Sequence, residues 1–228
     1  DRESFNIDTM QIEQAVTART RAIIPVHLFG LCADMDSIRG VIPDNVKILE
    51  DAACAAGATY KETPAGVLGD VAVFSFHPRK SITTGEGGMI TTNDDTLAEK
   101  LRRLRDHGAS VSEEIRHRGS RPHELPEFNE LGFNFRMTDL QGAVGLEQLK
   151  KLSKFIDDRS LWAKWYRNEL NDLDWICCPA EPKQGRHGWQ AFVTWVDPAK
   201  APYPRNELMD HLHASGIATR PGTHAVHD

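Results

Sequence analysis

Short apolar runs rich in β-branched and aromatic residues alternate with stretches of helical period along the first half of this chain, and that alternation limits what it can fold into. "AIIPVHLFG" runs to Gly30, "NVKILEDA" ends in acids, and "DVAVFSFH" and "GGMITTND" follow. Each reads as a strand. Between them, "MQIEQAVTART" has apolar residues at helical spacing, and "ADMDSIRGVI" begins a helix that Asp34 can cap. "DDTLAEKLRRLRDHG" is amphipathic, with acids first, bases last and Gly108 as its stop. Strands alternating with helices predict an α/β fold around a mostly parallel sheet.

The second half continues with "SVSEEIRHRGSRPHELPEFNE", which lacks a period and reads as a loop. Its basic part, Arg116 to His123, is either a solvated loop or an anion contact. "TDLQGAVGLEQLKKLSKFIDDRSLWAKWYRNEL" predicts one long helix capped by Thr138 or Asp139. "QAFVTWVD" then reads as a strand and "PRNELMDHLHASG" as a helix ended by Gly216. We expect a large domain over residues 1–160 and the start of a smaller α/β lobe over 161–228. The chain opens on "DRESFNIDTM" and ends at Asp228, which reads as part of a longer polypeptide.

Composition removes several classes of function. The chain has 228 residues, 40% hydrophobic and 26% charged, as in ordinary globular domains. A net charge of -6 argues against general nucleic-acid binding. The apolar runs are too short to span a membrane, and the opening residues form no signal peptide. Cys32, Cys54, Cys177 and Cys178 lack zinc-ligand spacing, and so few thiols point to a reducing, cytoplasmic setting. No metal site is expected: His211 and His213 sit two apart on a predicted helix and face different sides.

One stretch carries chemistry. "FSFHPRKSITTGEGGMI" leads a strand into Lys80 and then into Gly85, Gly87 and Gly88. A lysine amine whose environment lowers its pKa attacks carbonyls and can form a Schiff base with pyridoxal phosphate. That cofactor also needs a carboxylate at its ring nitrogen and donors for its phosphate. "ILEDAACAAGA" puts Glu50 and Asp51 at the C-terminal end of a strand, where open α/β sheets bind ligands. Ser75 precedes Lys80 on its strand and is a candidate phosphate contact. The glycines allow a tight turn beside a bound group. Spacing alone leaves the bland reading open, since an acid after a strand is commonly a helix cap.

These residues sit in "EDAACAAGATYKETPAGVLGDVAVFSFHPRKSITTGEGGMITTND", which resembles the core of the DegT/DnrJ/StrS sugar aminotransferases. "IIPVHLFGLCADMDSI", "LGFNFRMTDLQGAVGLEQLKKL" and "GIATRPGTHAVH" resemble further segments of that family in the same order. The resemblance implies an aspartate-aminotransferase-like fold and pyridoxal 5'-phosphate as cofactor. It implies amino transfer from glutamate to a nucleotide-linked keto sugar. By position, Lys80 matches the lysine that binds the cofactor and moves the proton, and Asp51 matches the carboxylate at the ring nitrogen. Ser75 matches a phosphate contact. Asn134 matches an asparagine that reaches the neighbouring subunit's cofactor, so the resemblance also implies a homodimer with shared sites. Cys54 departs from the pattern: many members carry Gln or His there, near the ring. A thiol is a poorer hydrogen-bond partner than an amide.

Lesser candidates are His77, beside the site, Arg136, open between a ligand and an acid partner, and His224 and His227, near the C-terminal end. Two other functions stay in view. Some relatives dehydrate sugars with the same cofactor but carry histidine in place of the lysine. A regulatory or remnant protein would bind cofactor without turnover.

Overall fold

The computed structural model describes residues 1, 3–110, 126–182 and 184–222. The Arg116 to His123 loop, His224 and His227 therefore lie outside the described residues.

The central sheet has four strands: β1 (Ala22–Ile23), β2 (Lys47–Asp51), β5 (Val71–Ser75) and β6 (Gly88–Thr91), in the order β1-β2-β5-β6. The first three run parallel, and β6 pairs antiparallel with β5. The sheet is thus mixed and mostly parallel, as the alternation predicts. Two short strands between β2 and β5, namely β3 (Thr59–Tyr60) and β4 (Thr63–Pro64), form a side ribbon with β8 (Gly185–Arg186). A further pair joins β7 (Ile176–Cys177) to β9 (Trp195–Val196).

β1 is shorter than its apolar run because Pro25 has no N–H to give. Beyond it the backbone pairs only by single bonds: Asp51 N–H donates to Pro25 O, and His27 N–H to Asp51 O. The helix expected over "MQIEQAVTART" also falls short. A 3-10 turn over Thr9–Gln11 leads into α1 (Ile12–Ala15), and Val16 is already extended. Thr17 and Thr20 explain the stop, because the Thr20 hydroxyl accepts from Thr17 N–H and offers the backbone a partner outside the helix.

The other helices begin where their caps stand. α2 (Met35–Val41) starts at Asp34, whose carboxylate accepts from Ser37 N–H at 3.2 Å. α3 (Asp95–Leu104) starts at Asp94 in the same way. α4 (Asp139–Leu170) has a full capping box between Thr138 and Gln141. It continues unbroken through the expected boundary near residue 160. α5 (Arg205–Ala214) ends before Gly216, which has φ +80°.

Alternation along a strand sorts side chains between the two faces of the sheet. Ile48, Glu50 and Ala72 are buried on one face, with α2 and the loops after β2. Met35, Ile38, Ala52, Ala55, Ala58 and Leu68 belong to the same core, with Ile12, Cys32, Ala33 and Ala65. Leu49, Asp51, Val71, Val73 and Ser75 alternate with them and face the other way, only half buried.

Candidate active site

The two acids that close β2 have different surroundings. Glu50 is fully buried on the core face. One of its oxygens lies 3.0 Å from His27 Nε2 and accepts from Gly66 N–H at 2.8 Å, and the other accepts from Gly69 N–H at 2.6 Å. His27 Nδ1 accepts from Ala33 N–H, so the neutral ring carries its proton on Nε2 and donates it to Glu50. Burial pushes the Glu50 carboxyl up, but the bonds from His27, Gly66 and Gly69 outweigh it and hold the group below its ordinary value. Glu50 is therefore a brace, tying the β1–α2 turn and the 66–69 turn to the sheet.

Asp51 lies on the opposite face. Its Oδ1 accepts from Ala53 N–H at 3.0 Å, and among the described residues Oδ2 has no hydrogen-bond donor. Asp51 pairs with Val73 in the parallel register, and Ser75 lies two residues further along β5. Asp51 and Ser75 thus share a face at the C-terminal ends of neighbouring strands. Among the described residues the Ser75 hydroxyl accepts only a long bond, 3.4 Å, from His77 N–H.

Lys80 follows on a turn closed by its own N–H to His77 O at 2.9 Å. Its ammonium is half buried and donates to Cys54 Sγ at 3.2 Å. Among the described residues no carboxylate lies within ion-pair distance of Lys80. Beside it, Ser81 Oγ is buried and has no hydrogen-bond partner among the described residues. The structure thus brings Cys54, in the loop after β2, to Lys80, in the loop after β5.

The glycines that follow Lys80 are explained by the hairpin itself. Gly87 has φ +142°, and a Cβ there would stand 2.9 Å from Thr84 Oγ1. A Cβ on Gly88 would stand 2.6 Å from Phe74 O. Phe76 N–H to Gly87 O and Thr84 N–H to Phe76 O close the loop.

Asn134 stands apart from this group. Its side chain is exposed, and its backbone forms an antiparallel bridge with Asp106 at the end of α3. His107 N–H to Phe133 O and Phe135 N–H to Arg105 O hold the same segment. Arg136 pairs with Asp106 at 2.5 Å, so it serves an acid. His77 Nδ1 accepts from Arg79 N–H, and its Nε2 lies 3.9 Å from Glu86.

Gln190 is a neighbour of Lys80 that the sequence does not reveal. Its amide donates to Arg79 O at 3.1 Å. Its own N–H donates to Phe29 O, and Gly188 N–H donates to Gly30 O at 2.7 Å. Gly30 has φ +102°, and a Cβ there would stand 2.8 Å from Trp189 N, so only glycine fits. Arg159 of α4 donates to Trp189 O and Gln190 O. His187 stacks on Trp189 with centroids 3.8 Å apart, and burial lowers its pKa to about 4. "QAFVTWVD" reads as a strand, yet only Trp195–Val196 is one, because residues 188–191 are spent on these cross-chain contacts.

An apolar cavity of about 410 Å³ lies between Phe74, Phe76 and Met89 and the Leu146, Leu149 and Leu152 side of α4. Phe74 and Phe76 alternate with Ser75, so this cavity opens on the other face from the polar group.

Among the described residues, an uncommitted carboxylate oxygen, a hydroxyl with one long bond, an amine without a carboxylate and an orphaned buried hydroxyl suit pyridoxal phosphate. They match its protonated ring nitrogen, its phosphate and its carbonyl in kind.

A model of the DegT/DnrJ/EryC1/StrS aminotransferase family matches residues 1–227. The chain is 40% identical over 229 residues to GDP-perosamine synthase of Caulobacter vibrioides, covering 100% of this chain and 58% of that protein. Among solved structures it resembles Helicobacter pylori PseC, an aminotransferase involved in the biosynthesis of pseudoaminic acid, with TM-score 0.86 and 27% identity over 98% of this chain and 58% of that one. It also resembles the E. coli GDP-4-keto-6-deoxy-D-mannose-3-dehydratase with bound hydrated PLP, with TM-score 0.84 and 29% identity over 97% of this chain and 58% of that one. The chain spans somewhat over half the length of these relatives.

Proposed function

The chain belongs to the DegT/DnrJ/EryC1/StrS aminotransferase family, and we propose that it carries the pyridoxal-phosphate site of an enzyme that moves an amino group from glutamate to a nucleotide-linked keto sugar. The observation that carries this reading is the meeting of the β2 and β5 loops at Lys80 and Cys54, beside Asp51 and Ser75 on one sheet face. The large domain is taken as residues 1–160, with the smaller lobe beginning at 161.

When bound, pyridoxal phosphate supplies a carbonyl to receive the amino group and a ring to accept the electron pair released at the substrate carbon. Lys80 takes the proton from that carbon and returns it, as general base and then general acid. Asp51 would hold the proton on the ring nitrogen through its uncommitted oxygen. Ser75 would donate to the phosphate. Cys54, which Lys80 touches, would stand beside the ring. A lysine rather than a histidine at position 80 favours amino transfer over dehydration.

Asn134 serves the neighbouring subunit's cofactor in a homodimer. In support, Phe128, Leu131, Phe133, Phe135 and Leu140 flank Asn134 and are all exposed, Leu131 by 94%. So dense an apolar surface favours a protein partner. Nucleotide-linked sugars and glutamate are cytoplasmic metabolites, which is where we place the enzyme. Among the described residues no helix is long and apolar enough to cross a membrane.

The test is release of 2-oxoglutarate from glutamate by the protein loaded with pyridoxal phosphate. Wild type is expected to release it in proportion to protein, and to turn over when a nucleotide-linked keto sugar is added. Release by Lys80→Ala at the wild-type rate would overturn the assignment.

A further inference from the structure

We propose that Cys54 and Lys80 form a peroxide-sensitive modification site, in which oxidation of the thiol links the two side chains through a reversible sulfur–nitrogen bond. The bond is argued from their contact. Its consequence for amino transfer rests on the role proposed for Lys80.

The observation is a pair, not a cysteine alone. Lys80 Nζ and Cys54 Sγ are 3.2 Å apart, in van der Waals contact. Both groups are half buried, so a small oxidant can reach the sulfur. The two side chains come from different loops. Lys80 is fixed by the bond from its own N–H to His77 O, and the Cys54 loop by bonds from Ala53 N–H to Asp51 and from Ala55 N–H to Ala52 O. No carboxylate among the described residues draws the amine away. Among the described residues no other thiol accepts a hydrogen bond from a lysine; Cys32 is moreover buried with its pKa pushed up to about 12, and burial also raises Cys178.

The chemistry balances with one peroxide. The Cys54 thiolate attacks a peroxide oxygen and the O–O bond breaks. The sulfur loses two electrons and becomes a sulfenic acid, while the peroxide is reduced to water or an alcohol. The neutral Lys80 amine then attacks that sulfur. The S–O bond breaks, hydroxide leaves, and it takes a proton from the nitrogen to depart as water. The product is a sulfenamide, and no second oxidant is needed. A reducing thiol reverses it by attacking the sulfur, which releases the amine, and a second thiol then frees Cys54. While the bond stands, Lys80 can neither hold cofactor nor move a proton. A lysine released intact is spared, and the sulfur is held short of irreversible oxidation.

The test is treatment of the cofactor-free protein with hydrogen peroxide, followed by intact mass and peptide mapping without reductant. The expected product has lost two hydrogen atoms and joins the Cys54 and Lys80 peptides. It is absent from Cys54→Ser and from Lys80→Ala, and dithiothreitol returns both peptides. Oxidation of Cys54 to sulfinic acid or to a mixed disulfide without the linked peptide would overturn the proposal. The readout needs no cofactor, so it fails separately from the aminotransferase assignment.

Discussion

Glu50→Gln is the substitution whose effect can be worked furthest. The side chain keeps its size, and it is fully buried. Three donors face it: His27 Nε2–H, Gly66 N–H and Gly69 N–H. A carboxylate accepts from all three. If the amide oxygen takes the place that serves His27 and Gly66, its NH2 meets Gly69 N–H, donor against donor. One charge-assisted bond is lost, worth about 1.5–3 kcal/mol, and an N–H is left unpaired at a further cost of about 1–3 kcal/mol. A net loss of about 3 kcal/mol follows, or roughly 6–12 °C in Tm for a chain of this size. The loss carries a pH signature. The folded pKa of Glu50 is lowered, so its contribution is full above the unfolded value near ~4.3 and fades as pH falls through the lower folded value. Calorimetry or circular dichroism of both proteins from pH 7 down to pH 3.5 is the assay. The Tm gap is expected to narrow below about pH 4.3. Equal Tm values at pH 7, or a gap that stays constant in acid, would refute the brace.

His187 should remain neutral at pH 5.5 by NMR, because burial lowers its pKa to about 4. Unfolding frees it to bind a proton, so stability present above its unfolded pKa near ~6.5 declines as pH falls toward 4, by up to about 3 kcal/mol. Gln190→Ala removes one bond to Arg79 O, worth ~1 kcal/mol, and is expected to weaken cofactor binding about fivefold, read by titration of visible absorbance. Thr138→Ala removes the α4 capping box and should cost ~1 kcal/mol in denaturant melts. Mixing inactive Lys80→Ala and Asn134→Ala subunits should restore part of the activity, since some hybrid sites draw both intact residues from different chains. No recovery in demonstrated heterodimers would count against shared sites.

The parts of the fold that could be read from the chain are those set by local chemistry. Asp34, Asp94 and Thr138 cap helices because their oxygens reach N–H groups three residues on, which neighbours in sequence decide. β2, β5 and β6 were legible because their apolar residues are confined to short runs. What could not be read depends on distant partners. The side ribbon exists because β8 arrives from over a hundred residues away to pair with β3. The shortening of the 190–196 strand reflects contacts with Phe29, Gly30 and Arg79. In the site, the positions of Glu50, Asp51 and Ser75 at the ends of strands followed from the apolar runs before them. The separate roles of Glu50 and Asp51 did not, since only the fold shows which acid meets His27 and the glycine N–H groups. The contact of Cys54 with Lys80 depends on two loops meeting, and nothing in either loop announces it.

The most direct test is to trap the cofactor on the protein. Wild type is mixed with pyridoxal phosphate, reduced with borohydride and mapped by peptide mass. The account predicts a reduced pyridoxyl group on Lys80, with a visible band before reduction, and neither in Lys80→Ala. A folded protein that takes up no cofactor, or carries it on another lysine, would contradict the central claim.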